Sequence, residues 1–329
     1  MTLAFAAFTR RGEDLARRLA QQFGGSVTRI DKENPLPVWT AQQFSEKEGL
    51  VFVGAVGIAV RAIAPHCKSK ASDPAVVVLD ECGRFAVPVL SGHLGGANEL
   101  ARRLAAVCGA VPVITTATDA NGVFAVDEWA RHQNCAVLEP ERIKKVSGAL
   151  LAGRTVRFAS DWPIAGSLPA GLAEDAAAPE LALTLCPAGD ALHLVPRIGV
   201  LGVGCRRGTG ADTLAEAFAA FCAQAGFAPQ CIAAAASIDL KQNEAGLLAF
   251  CQSRGWPVEF FTAEQLRQAP GSFTPSAFVQ SVTGVDNVCE RAAVLAAGGP
   301  LVFHKFARTG VTFALAARPF APDWRWQHV

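Results

Sequence analysis

Ser91-Gly92-His93-Leu94-Gly95-Gly96-Ala97-Asn98 is the densest run of chemistry-bearing residues in the chain. It lies between an apolar stretch ending at Leu90 and a helical pattern starting near Gly96, where backbone N–H groups point outward and favour an anion. Ser91 and Asn98 can hydrogen-bond a carboxylate or an oxyanion, Gly95 and Gly96 let a ligand approach the backbone, and His93 can move a proton near neutral pH. A capped turn with glycine at positive φ explains the same residues. Asp80-Glu81 follows the strand-like run Ala75 to Leu79. A carboxylate pair at the carboxyl end of a strand can supply a general base, and a solvated turn is the plain alternative. Thr116, Thr118 and Asp119 follow another apolar run and suit a polar ligand, or equally a helix cap. Arg61 and Lys70 are cations placed before the strand at Ala75.

A second group sits in the other half. Gly202-Val-Gly204-Cys205-Arg206-Arg207-Gly208 follows a strand pattern and precedes a helix. Its spacing, G-x-G-x-x-x-G, misses the dinucleotide fingerprint by one residue, and it lacks the Lys and Ser/Thr of a phosphate-binding P-loop. Two adjacent guanidinium groups beside a helix start make a strong site for phosphate or carboxylate. Cys205, next to two cations, is a candidate low-pKa thiolate. Lys241, Glu244, Ser281, Glu290 and Lys305 form a looser set, for which surface pairing is the plain reading. The six histidines show neither H-x-x-x-H nor H-E-x-x-H spacing, so no dedicated protein-bound metal is expected.

These residues need a scaffold. The 329 residues suffice for two compact units or slightly more, and 51% apolar and 18% charged residues with a net charge of +1 describe a globular chain, with nucleic acid and membrane surface poor first partners. Tyrosine is absent and Met1 is the single methionine, which leaves His, Asp and Glu as the proton-transfer candidates. Ten scattered cysteines without a C-x-x-C read as buried hydrophobes in a reducing cytosol. The first residues do not resemble a signal peptide and Arg61 ends the longest apolar run, so a cytoplasmic location is expected. Apolar runs alternating with amphipathic segments predict an α/β fold of two open, mostly parallel domains, residues 1–126 and 197–329, joined by an irregular middle module, 127–196. Hairpins are expected at Ala75–Leu90 and Leu301–Ala317.

Gly57-Ile-Ala-Val-Arg61-Ala-Ile-Ala-Pro65, Lys70-x-x-Asp73-Pro, Asp80-Glu81, Leu90-Ser-Gly-His-Leu-Gly-Gly-Ala-Asn98 and Thr115-Thr-Ala-Thr-Asp119 together resemble the N-terminal region of the CbiG family of cobalt-precorrin-5A hydrolases. Gly202-x-Gly-Cys-Arg-Arg-Gly208, Lys241-x-x-Glu244, the Ser281–Glu290 stretch and Lys305 through Thr312 resemble its C-terminal domain. The resemblance implies a hydrolase of cobalamin biosynthesis that opens the δ-lactone of a cobalt corrinoid and releases acetaldehyde. It implies that cobalt arrives with the substrate and that no further cofactor is needed. His93, Asp80 or Glu81 would activate water, the Ser91–Asn98 loop would hold an oxyanion, and Arg61, Arg206 and Arg207 would hold carboxylate arms in a cleft between the two domains. A non-catalytic tetrapyrrole carrier and a nicotinamide-dependent oxidoreductase are the alternatives. Whether the chain acts alone or as a homodimer stays open.

Overall fold

The computed structural model describes residues 1–69 and 72–325. Three sheets follow one another along the chain. The first is built from β1 (Leu3–Ala7), β2 (Ser26–Arg29), β3 (Gly49–Val53), β4 (Ala75–Leu79), β5 (Phe85–Leu90) and β6 (Val111–Pro112), in the order β2-β1-β3-β4-β5-β6. All neighbours are parallel except β4 and β5, the expected hairpin. The central strands β1, β3 and β4 are apolar on both faces because helices cover both. Phe5, Val51, Val53 and Val77 pack on α1 (Arg10–Phe23) and α4 (Ala97–Cys108). Ala4, Leu50, Phe52 and Val78 meet α2 (Leu36–Glu46) and α3 (Val56–Ile63) on the other side.

The middle region departs from the irregular module expected. Residues 135–196 form a five-stranded sheet in the order β7-β11-β10-β8-β9, from β7 (Cys135–Val137), β8 (Val156–Ser160), β9 (Leu172–Glu174), β10 (Leu181–Leu183) and β11 (Leu192–Pro196). Three of these strands have three residues each, too few for a readable alternation. The short α5 (Ala117–Ala120) leads into α6 (Val126–His132), which with α7 (Ile143–Leu151) packs on this sheet through Trp129, Val146 and Leu150.

The third sheet has the order β14-β13-β12-β16-β15, from β12 (Gly199–Cys205), β13 (Ile232–Ile238), β14 (Val258–Phe261), β15 (Leu301–Arg308) and β16 (Val311–Ala317). β12, β13 and β14 are parallel, and β16 returns antiparallel beside β12 as half of the expected closing hairpin. One face packs on α8 (Ala211–Ala225) and α9 (Ala245–Gln252). The other packs on α10 (Ala263–Arg267) and α12 (Cys289–Ala297), with α11 (Ala277–Thr283) on the connection between them. All ten cysteines are free. No helix among the described residues is long and apolar enough to cross a membrane.

Candidate functional site

The antiparallel turn of β5 separates residues that the sequence places side by side. β5 is six residues long, so at roughly 3.3 Å per residue its ends lie about 20 Å apart. Asp80 and Glu81 stand where it begins, and Ser91 stands where it ends. Asp80 closes the hairpin, its carboxylate accepting the amides of Arg84 at 2.7 Å and Phe85 at 2.8 Å. Glu81 accepts the Thr9 hydroxyl at 2.8 Å. Both acids are turn residues on the opposite edge from His93, so the three cannot form one catalytic set. Arg61 is exposed on α3 and bonds the Gly57 carbonyl at 3.3 Å. Lys70 lies outside the described residues.

At the other edge β5 and β6 run parallel, and the loops that follow them do meet, as their placement after two strand ends predicts. The His93 ring is held on both sides, with Nε2 2.8 Å from Asp119 and Nδ1 3.1 Å from Asp127. Asp119 also takes Thr116, the Asn98 amide at 3.2 Å and Arg102, and Arg102 reaches Glu128 at 2.9 Å. Thr118 lies 3.4 Å from His93 Nε2. Burial opposes charge on the ring, but its hydrogen bonds to the two carboxylates outweigh burial and push its pKa up to about 10. Burial also opposes charge on Asp119, yet the bonds from His93 and Thr116 hold it well below the usual carboxylate range. Both ring nitrogens of His93 are thus engaged by carboxylates that favour its charged form, and neither is free to take a proton in this arrangement.

The loop itself is folded inward. The amides of Gly96, Ala97 and Asn98 donate to the carbonyls of His93, Ser91 and Gly92, and the Ser91 hydroxyl donates to the Asp73 carbonyl at 2.9 Å. A side chain at Gly95 would collide with Ser91, and one at Gly96, where φ is +83°, would press on the Arg131 guanidinium. These glycines allow close packing within the protein, and the Gly96 amide, bonded to the His93 carbonyl, is not free to hold an oxyanion. Asp127, Glu128 and Arg102 complete this network, although the sequence shows them only as ordinary helix charges.

The third sheet carries an open cavity of about 1040 Å³ at the carboxyl ends of its parallel strands, where α/β sheets bind ligands. β12 delivers Gly204, Cys205, Arg206 and Arg207, the segment after β13 delivers Leu240, Lys241 and Glu244, and the β15–β16 hairpin delivers Lys305, Arg308 and Thr312. The hairpin tip explains its own position. Thr309 and Gly310 have φ of 50° and 78°, a tight turn of the type that follows strand twist. The absent side chain at Gly310 lets Arg206 lie against it, where a Cβ would stand 2.9 Å from the guanidinium Nε.

Charge in this cavity is one-sided. Arg206, Arg207, Lys241, Lys305 and Arg308 line it against one carboxylate, Glu244. Glu244 accepts Lys241 Nζ at 3.0 Å and the Gly208 amide at 2.6 Å, and these bonds keep its pKa below the usual value. The other four cations form no ion pair among the described residues. The Gly208 amide thus serves Glu244, and the arginine side chains supply the anion site. Burial pushes the Cys205 thiol up, against the alternative of a low-pKa thiolate and in keeping with cysteines read as packing residues.

Two members of the looser set fall elsewhere. Glu290 is fully buried and accepts the amides of Thr274 at 2.6 Å and Lys305 at 2.8 Å and the Asn287 side chain at 2.7 Å. It fixes the strand that carries Lys305 and does not face the cavity. The Ser281 hydroxyl donates to the Phe278 carbonyl on the exposed side of α11. Leu240, Phe278, Val282 and Arg308 line the cavity without having been singled out. Arg308 was recoverable, because a β16 paired antiparallel with β12 must set the hairpin tip beside Arg206. Among the described residues no side chain of the first sheet lines this cavity, which lies within the third domain. A Cβ on Gly202 would run into the Cys289 carbonyl, so that glycine serves the close packing of α12.

Residues 199–316 match the family described as Cobalamin synthesis G C-terminus, residues 38–119 that described as Cobalamin synthesis G N-terminal, and residues 124–186 that described as Cobalamin biosynthesis central region. The chain is 36% identical to the cobalt-precorrin-5A hydrolase of Salmonella typhimurium, covering 95% of this chain and 97% of that protein. It is 28% identical to the cobalt-precorrin-5A hydrolase of Priestia megaterium, over 96% and 95%. A solved structure of a cobalamin biosynthesis protein G homolog from Sulfolobus solfataricus is 19% identical with a TM-score of 0.42, over 97% of each chain.

Proposed function

The chain belongs to the cobalamin synthesis G family, and on that premise we propose that it hydrolyses the lactone of cobalt-precorrin-5A, giving acetaldehyde and cobalt-precorrin-5B. The observation that supports the reading is the third-sheet cavity, with four unpaired cations, one carboxylate and room for a macrocycle. The substrate carries acetate and propionate arms around its rim, and Arg206, Arg207, Lys305 and Arg308 match them in charge. Cobalt enters as part of the substrate, so the chain needs no cofactor of its own. The reading carries a cytoplasmic location with it.

A base must remove a proton twice. Water attacking the lactone carbonyl must lose a proton, and the tetrahedral oxyanion needs a cation beside it. The C–O bond then breaks and the departing alkoxide takes the proton of the new carboxylic acid, leaving a carboxylate and an alcohol on the bridging carbon. Removal of the alcohol proton lets the bond from that carbon to the ring break, so that acetaldehyde departs and the conjugated ring takes the electron pair. Glu244 is the carboxylate of the cavity and serves as the base in this reading, with Lys241 beside it as the cation for the oxyanion. This role replaces those expected for His93, Asp80 and Glu81, which line no part of the cavity.

The test is stoichiometric acetaldehyde from cobalt-precorrin-5A and the purified chain. Glu244→Gln should lower turnover about a hundredfold or more with substrate affinity retained. Tight binding without acetaldehyde would make the chain a carrier, and wild-type turnover by the variant would move the base elsewhere.

A further inference from the structure

Large apolar side chains left in water cluster at one place in the third domain. Leu240, Phe278 and Val282 are 66%, 70% and 61% exposed, and all three line the cavity. Phe278 and Val282 stand four apart on α11 and so share a helix face. Leu240 comes from the turn after β13. α11 buries none of its own residues. Val279 rests half-buried against the core beneath, and the flanks also hold the helix, since the Ser276 amide donates to the Asp286 carbonyl at 2.8 Å and the Asn287 side chain donates to the Thr274 carbonyl at 2.9 Å. An apolar face is thus fixed beside a group of unpaired cations, which sets two requirements on whatever covers it. The ligand must be apolar where it meets α11 and anionic where it meets Arg206, Arg207, Lys305 and Arg308.

We infer that α11 is a platform for the face of a tetrapyrrole macrocycle, with the Phe278 ring against the macrocycle and Val282 and Leu240 flanking it. A macrocycle with peripheral carboxylates meets both requirements in one molecule, with broad apolar faces and a charged rim. The inference rests on the reading that this cavity is the corrinoid site and adds to it the residues that recognise the ring itself. Phe278, Val282 and Leu240 would then set specificity, separating a macrocyclic polyacid from a small one of equal charge.

The experiment titrates the full chain with a cobalt corrinoid whose carboxylate arms are free, followed by absorbance, and with tricarballylate, followed by calorimetry. Phe278→Ser combined with Val282→Ser should weaken corrinoid binding about tenfold or more. Tricarballylate binding and the melting temperature should not change, because neither side chain is buried. Phe278→Leu should recover part of the corrinoid affinity. Arg206→Ala with Arg207→Ala should weaken both ligands. Unchanged corrinoid affinity in the double serine variant overturns the platform and leaves the cavity reading standing. Failure of the wild-type chain to bind corrinoid overturns both. A wild-type dimer that the serine variant dissociates would assign the patch to contact between copies, and the platform would again be wrong.

Discussion

His93 shows how a residue type can suggest one role and its surroundings impose another. Between Asp119 and Asp127 the ring is charged in the folded chain up to about pH 10, against about 6.5 for an exposed histidine. A group whose pKa rises on folding stabilises fully below its unfolded pKa and loses that contribution as pH climbs through the folded one. The wild-type chain should therefore be more stable than His93→Gln at pH 6, by roughly 3 kcal/mol for a largely buried ion pair. The gap should narrow steadily between about pH 6.5 and 10. Thermal denaturation of both proteins over that range checks this, and a constant gap would show that the ring is not held as an imidazolium. Arg206 and Arg207 belong to the same scale with the opposite character, being exposed and unpaired. Replacing both with alanine should raise the substrate Kd about tenfold and flatten its dependence on salt, because charge on exposed groups is what salt screens. A loss of turnover with unchanged Kd would instead put them in the chemistry.

The elements that hold these residues were legible where sequence pattern and packing agree. α8 is readable because Gly210 and Gly226 bracket an apolar run of helical length, and the β4–β5 hairpin is readable from Glu81 to Arg84 between two apolar strands. That hairpin already implied that Asp80 and Ser91 stand at opposite edges, a consequence that spacing along the chain conceals. The middle sheet was not legible, since three-residue strands separated by Pro and Gly leave no period to read. Nor was the place of Gly202 within β12, where glycine spacing suggests a cofactor turn and the packing gives another reason. Gly202 sits under the N-terminus of α12, with the Cys289 carbonyl where a Cβ would go. Gly202→Ala must push α12 off the sheet and should cost about 3 kcal/mol or more. Gly208, with open space around it but φ of +75°, should cost only about 1 kcal/mol on the same change. Chemical denaturation of the two variants checks the order, and equal costs would mean that α12 does not pack tightly against Gly202.

Across the whole molecule the middle sheet is the piece that both neighbours share. Leu94 and Val123 from the first domain pack on its core, while Leu185 and Val195 from the middle region pack into the core of the third. The chain after β16 then leaves the third sheet and returns to the middle one. Trp324 stacks on Trp129 with ring centroids 4.9 Å apart, its amide donates to the Ala165 carbonyl at 3.0 Å, and the Trp129 indole donates to the Asp323 carbonyl at 2.7 Å. Phe124 and Phe158 close on the same ring edge to face, at 5.9 and 5.0 Å. A segment that follows the cation-lined domain in sequence therefore completes the core of the one before it, and α6, which that core supports, carries Asp127 and Glu128 into the His93 network. Trp324→Ala should remove about 3–5 kcal/mol, the range for emptying a large aromatic from a core. The loss should not be uniform, because the third sheet keeps its own two apolar faces. Hydrogen exchange should show amides of residues 135–196 and of α6 opening first, with β12, β13 and β16 protected as in the wild type. Equal loss of protection in all three sheets would mean that the chain unfolds as one unit, and that the returning tryptophan stabilises the whole and not the middle core it fills.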